Sequence, residues 1–299
     1  TMIDHAQKQM EKQRNMLDIL LADFGKKMES LQGDNRENAT AMLSMQTSLR
    51  SLHHLANAMQ QPASKPQNSS AAREHRYYHF EEAFRGDRTV IKDRFAGYVK
   101  YFKNSKAGEG KVLDLGCGRG EFLELLKDAS VPAFGVDSNP AMVKSCRDLG
   151  LDVTQGDLLD FLEAQKPDSL AGIFCSQVVE HLPPDVVFKM VENAHIRIRP
   201  GGVLLLETVN VASAFGFLQV YTKDLTHRTP IHPETLKFVV AAAGFTDPQI
   251  LLTSPVPAVT QLKLFANAKE EAQIVFNENM SKLNKLLFDH QEYAVLATK

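Results

Sequence analysis

The stretch Lys111-Val-Leu-Asp-Leu-Gly-Cys-Gly-Arg-Gly-Glu121 decides how this chain is read. An apolar run ends in Gly116, Gly118 and Gly120, and a helical pattern begins directly after them. Glycine reaches positive φ and lets backbone approach a ligand closely, while the amides at a helix start favour a carboxylate or phosphate. GxGxG spacing is weak by itself, so its surroundings carry the argument. Phe134-Gly-Val-Asp137 ends the next apolar run with an acid. It stands about twenty residues past the glycines, where a carboxylate can accept ribose hydroxyls. A third run ends in Gln155-Gly156-Asp157, an acid expected near an adenine amino group. A dehydrogenase loop would read GxGxxG, and this one does not.

Downstream of Lys111, apolar runs alternate with helical patterns, which predicts βα units and a mostly parallel sheet. Strands are expected at 111–115, 132–136, 151–154, 171–175, 202–207, 248–254 and 292–298. The last two should include an antiparallel partner, with 292–298 inserted beside an edge. The stretch 267–288 has Ile274, Val275, Met280, Leu283, Leu286 and Leu287 at helical spacing, and is expected to pack on the globular domain.

Upstream the chain changes character. Residues 1–60 hold two glycines, Gly25 and Gly33, and no proline, and carry an apolar residue every seven positions. That row runs Ile3, Met10, Leu17, Phe24, Leu31, Asn38, Met45, Leu52 and Met59, broken only at Asn38. A sustained heptad keeps one seam facing a partner helix, so a coiled coil is expected, with a homo-oligomer or a coiled-coil partner as its consequence. Residues 61–72 (QPASKPQNSSAA) read as a linker. Residues 73–103 are dense in aromatics and Arg, and suggest two short helices around Arg85-Gly86-Asp87. Thr1 ahead of Met2 suggests a clipped chain.

Composition excludes several classes. Of 299 residues, Lys+Arg number 34 and Asp+Glu 36, a formal charge of −2 that offers no basic excess for nucleic acid. Cys117, Cys146 and Cys175 are too few and too scattered for a disulfide framework or a CxxC metal site. No stretch approaches the roughly 18 apolar residues of a membrane span. A cytoplasmic protein is expected, peripheral to the inner membrane only through a partner.

Together these motifs resemble the class I S-adenosylmethionine-dependent methyltransferases over 73–299. The resemblance implies a seven-stranded, Rossmann-like α/β domain behind the coiled coil. Asp114 with Gly116, Gly118 and Gly120 match the family's first motif, Asp137 its ribose-binding acid, and Gly156-Asp157 its adenine-side motif. Ile173-Phe-Cys-Ser-Gln-Val-Val-Glu-His-Leu182 and the Arg199-Pro-Gly-Gly202 turn also match. The implied cofactor is S-adenosylmethionine, leaving as S-adenosylhomocysteine. Arg85, Ser138, Leu158 and Gln177 join the implied cofactor residues.

Methyl transfer from a sulfonium is an in-line displacement, so positioning and deprotonation of the acceptor supply most of the acceleration. The insertion 208–235 follows the fifth strand and contains Asp224-Leu-Thr-His-Arg228 and Pro230-Ile-His-Pro-Glu-Thr235. His is the usual base near neutral pH, which makes His227, His181 and His232 the candidate catalytic residues. FEEAFRGDR (80–88), the two insertion motifs and the LLFDHQEYAVLATK stretch (286–299) are similar to methyltransferases of bacterial polysaccharide and O-antigen synthesis, implying a glycan oxygen as acceptor. A small-molecule or quinone-type acceptor is the alternative, and a non-catalytic scaffold is the reading from another class. His227 and His232 lie five apart with no thiolate pair beside them, so no metal site is expected.

Overall fold

The structure, a computed structural model, describes residues 86–299. The expected coiled coil (1–60), the linker (61–72) and the start of the aromatic segment, Arg85 included, lie outside the described residues. The chain continues through α1 (Arg88–Ala96), α2 (Val99–Lys103), β1 (Lys111–Leu115), α3 (Glu121–Asp128), β2 (Ala133–Asp137) and α4 (Pro140–Asp148). Next come β3 (Val153–Gln155), α5 (Leu158–Glu163), β4 (Leu170–Ser176), a 3-10 turn (Val179–His181), α6 (Pro184–Arg197) and β5 (Ile198–Val209). A π-turn (Gly216–Val220) and a second 3-10 turn (Tyr221–Lys223) lead to α7 (Pro233–Ala242), β6 (Thr246–Pro255), α8 (Glu271–Leu287) and β7 (His290–Thr298).

The strands form one sheet in the order β3-β2-β1-β4-β5-β7-β6. The first five are parallel, and β7 runs antiparallel between β5 and β6. This is the expected mixed sheet. Because side chains alternate across a strand, β5 feeds both faces of the sheet. Leu204 and Leu206 join Val187, Met190 and Val191 of α6 and Leu236, Val239 and Val240 of α7. Val203 and Leu205 join Ile91 and Phe95 of α1 and Phe122 and Leu126 of α3 on the other side. There Phe122 stacks on Phe174 with ring centroids 3.8 Å apart, and Phe95 meets both rings edge-on. Each such pair contributes about 0.5–1.5 kcal/mol beyond the area it buries.

Two expectations change. Arg199-Pro-Gly-Gly202 is not a turn before the fifth strand; it lies within β5, as an irregularity between the Leu170–Ile198 and Gly172–Val203 pairings. Gly201 takes φ +79° there, and its amide donates to the Lys299 carbonyl at 2.8 Å, so pairing with Lys299 rather than a turn holds the segment. Helix α8 forms where the 267–288 pattern placed it but contains no buried residue. Leu286 is 59% exposed, and Val275 and Ile274 are comparably open. Side-chain amides fix it instead: Asn277 exchanges two hydrogen bonds with the backbone of Phe265, and Asn284 two with that of Leu262. Helical spacing shows that a stripe exists but not what covers it.

Candidate active site

Between β1 and β4 the strand order changes direction, and in open α/β sheets ligands bind outside the carboxyl ends of strands at such a point. The loop after β1 is shaped for close approach. Gly116 has φ +78°, and a Cβ there would lie 2.6 Å from Cγ2 of Val178, in the turn after β4. Gly120 caps α3 in the same left-handed conformation. Gly116 and Cys117 both donate their amides to the Val136 carbonyl, at 2.9 and 3.0 Å. Asp137 completes the loop: its Oδ2 accepts the Gly118 amide and its Oδ1 the Asn139 amide, each at 2.8 Å. A carboxylate oxygen has two lone pairs, so both retain capacity for a hydroxyl donor. From α1, Arg88 donates to the Arg119 carbonyl and to Glu124, both at 2.7 Å.

The β4 turn supplies the opposite wall. Gln177 is held at φ +55° with its amide donating to the Glu207 carbonyl at 2.9 Å, and its side-chain Nε2 is buried without a partner. An orphaned donor beside a cradle that excludes side chains fits a ligand rich in acceptors, as S-adenosylmethionine is. Asp114 is buried in β1 at 2% exposure. Asp157 caps α5, its Oδ1 accepting the amides of Leu159 and Asp160, while Leu158 opens that helix half-buried. Ser138 is exposed just beyond β2.

Beyond Gln177 the fold gathers Glu180, His181 and His227, one potential ligand atom of each lying within 4.8 Å of the others. Glu180 is 1% exposed, and no hydrogen bond of normal geometry reaches either carboxylate oxygen. Burial pushes its carboxyl up to about 8. Its own amide and Thr208 favour the anion, and Glu207 and Asp224 oppose it. His227 Nδ1 lies 2.7 Å from the Tyr221 carbonyl, which only accepts, so that nitrogen carries the proton and Nε2 the lone pair. Nε2 stands 3.9 Å from Asp224 Oδ2. Thr226 Oγ1 donates to Asp224 Oδ1 at 2.6 Å and meets His181 Nδ1 at 2.9 Å. With its one proton committed to Asp224, that hydroxyl accepts from His181 Nδ1. The two imidazole rings lie 4.7 Å apart. His232 is instead the exposed cap of α7, its Nδ1 accepting the Glu234 amide at 3.2 Å.

The expectation of no metal site rested on chain spacing around His227 and His232, whereas the fold places His227 beside His181 and Glu180, 46 and 47 positions upstream. Glu180 was legible as an acid directly before His181 at the end of an apolar run; its burial was not. A second group had no local signal at all. Glu207 accepts from Tyr98 at 2.6 Å, from Ser176 at 3.0 Å, and pairs with Arg94 at 3.2 Å. Arg94 also binds Glu292 of β7 at 2.5 Å. Burial opposes the Arg94 charge, but Glu207 and Glu292 together hold it above the ordinary guanidinium value.

Comparison with known proteins agrees with this fold. A family model described as a methyltransferase domain matches residues 84–250, more than half of the chain. A crystal structure of a SAM-dependent methyltransferase from Archaeoglobus fulgidus is 37% identical with a TM-score of 0.70, covering 75% of this chain and 99% of that one. A phosphoethanolamine N-methyltransferase 2 from Haemonchus contortus, bound to S-adenosyl-L-methionine, shares the fold at 14% identity and a TM-score of 0.50, over 68% of this chain and 52% of that one. Among curated relatives, a ubiquinone biosynthesis O-methyltransferase from Xanthomonas campestris pv. campestris (strain B100) is 30% identical over 126 residues, 40% of this chain and 52% of the relative. One from Actinobacillus pleuropneumoniae serotype 5b is 27% identical over 38% of this chain and 51% of the relative. The chain spans about half the length of the curated relatives it matches. With the glycine loop, the strand-end acids and the sheet order in place, the chain belongs to the S-adenosylmethionine-dependent methyltransferases.

Proposed function

We propose that this chain transfers a methyl group from S-adenosylmethionine to an oxygen of a hydroxyl-bearing small molecule. The observation that carries the reading is the contact of two loops. The turn that ends in Glu180 and His181 packs through Val178 onto Gly116, so a titratable cluster borders the cofactor cradle. Gly116, Gly118, Asp137 and Gln177 would hold the cofactor, with Asp114, Ser138, Asp157 and Leu158 on its flanks. The cofactor supplies an electrophilic methyl whose carbon–sulfur bond breaks as the carbon–oxygen bond forms. The chain's own task is to hold the acceptor in line and take its proton. That proton goes to the imidazole–carboxylate pair of His227 and Asp224, beside the acceptor.

O-methylation of a small molecule follows the curated relatives, which are O-methyltransferases by name. A glycan hydroxyl is the second reading, favoured by FEEAFRGDR and the DLTHR and PIHPET motifs of the insertion. The heptads of 1–60 would assemble copies of the chain, which sedimentation of the full chain tests.

Two measurements test the reading. Calorimetric titration should show S-adenosylmethionine binding in the wild type and a loss of at least about tenfold in Asp137→Ala, the cost of a lost charged hydrogen-bond partner. Transfer of radiolabelled methyl to phenolic and sugar acceptors then separates the two acceptor classes. On the accepted substrate, His227→Ala should lower turnover at least about a hundredfold with cofactor affinity kept. Absence of cofactor binding in the wild type would overturn the reading.

A further inference from the structure

We infer that Glu180, His181 and His227 form a binding site for a first-row transition-metal dication of the zinc class. The inference goes beyond methyl transfer and concerns binding; only its use in catalysis rests on the reading above.

Three independent observations converge. The first is a buried carboxyl without a hydrogen bond of regular geometry. Glu180 is 1% exposed and neither carboxylate oxygen has a hydrogen-bond partner of normal geometry. Buried carboxylates are retained where something satisfies them, whether donors, a counter-charge or a metal. Arg228 and Thr229 approach this residue only through their amides, which donate to its backbone carbonyl at 2.8 and 3.0 Å. The carboxyl itself has Thr208 and its own amide nearby, neither in regular hydrogen-bond geometry.

The second is proximity. One donor atom from each of the three residues falls within 4.8 Å of the others. Around an ion with bonds of about 2.1 Å, two ligand atoms stand at most about 4.2 Å apart. Small side-chain rotations therefore close the set.

The third is the outer ring of hydrogen bonds. Metal-binding imidazoles usually donate their other N–H to a carbonyl or carboxylate system, which fixes the tautomer and aims the ring. His227 donates Nδ1–H to the Tyr221 carbonyl at 2.7 Å. His181 Nδ1 meets the Thr226 hydroxyl, which in turn donates to Asp224 at 2.6 Å. Both rings thus carry the proton on Nδ1 and the lone pair on Nε2.

Two imidazoles and one carboxylate favour Zn2+, Co2+ or their neighbours over Mg2+ and Ca2+, which prefer oxygen ligands throughout. Three protein ligands leave an open position, the arrangement of catalytic rather than structural zinc. The cluster borders the Gly116 loop, so an acceptor hydroxyl can take that position and lose its proton more readily. With His227 Nε2 committed to the cation, Asp224 Oδ2 is the group of the pair left to receive that proton.

The test is direct metal binding by the full-length chain. Chelator-treated wild type is titrated with Zn2+ by calorimetry and with Co2+ by visible absorption, beside Glu180→Gln, His227→Gln and Thr226→Val. One ion per chain is expected in the wild type. Glu180→Gln and His227→Gln should each bind at least about a hundredfold more weakly, and Thr226→Val about tenfold more weakly, as for a lost orienting partner. Circular dichroism identifies any variant that fails to fold, in which case the other ligand variant decides. The inference is overturned by wild type that takes up no Zn2+ or Co2+, by ligand variants that bind as wild type does, or by preferential Mg2+ binding. S-adenosylmethionine affinity on the same samples reports the methyltransferase reading separately, so either proposal can fail alone.

Discussion

Two buried acidic sites lie at neighbouring strand ends, and they are satisfied in opposite ways. Beside β5 and β7, Glu207 and Glu292 share the Arg94 guanidinium, with Tyr98 and Ser176 donating to Glu207. Beyond β4, Glu180 is equally buried, yet its carboxyl meets no cation, and Thr208 and its own amide approach it only in irregular geometry. The first site is held by the chain's own cation, although Arg94 Nε and Glu292 Oε2 keep no partner, and it ties α1 to β7. The second is left open, which is how a fold holds a place for something it does not itself supply.

The comparison fails most visibly if Arg94 proves dispensable. Removing one partner of a buried pair leaves uncompensated charge, so Arg94→Met should cost about 3–5 kcal/mol in urea unfolding, with much of it recovered when Glu207→Gln and Glu292→Gln are added. A cost below about 1 kcal/mol would mean that water reaches this site. Glu180→Gln is the opposite case. Replacing an unpartnered buried acid by its neutral isostere should leave metal-free stability within about 1 kcal/mol of wild type, or raise it. A large loss would show that the carboxylate is already satisfied.

The smallest effect concerns Glu124, a partly exposed acid. Burial acts to raise its carboxyl, but Arg88 and Lys92 outweigh that and hold it below its usual range. A lowered folded value means the stabilisation is complete above the unfolded value of about 4.3 and is lost as pH falls through the folded one. Thermal melts below about pH 4.5 should therefore fall less steeply in Glu124→Gln than in wild type, by under about 1 kcal/mol. Equal slopes would reduce this pair to a surface contact.

Much of this was legible along the chain. The glycine loop, the acids at 137 and 157, and strand positions within a few residues all follow from local spacing, because close backbone approach and strand alternation are local demands. The antiparallel strand inserted beside the edge was legible too. What misled was reading local patterns as tertiary facts. Arg199-Pro-Gly-Gly202 looks like a turn, but the carbonyl of Lys299 draws it into β5. The α8 stripe looks like a packing face and lies open.

By itself, the sequence determined the alternation of strand and helix and the glycine loop after β1, since these depend on residues close together in the chain. Only the tertiary structure decided which charges meet. Arg94 reaches Glu292 across 198 positions, and His181 meets Thr226 across 45. No local period records such separations. They arise when the sheet order brings β5 beside β7 and the insertion after β5 back over the end of β4, and there burial sets which acids are neutralised and which are left open.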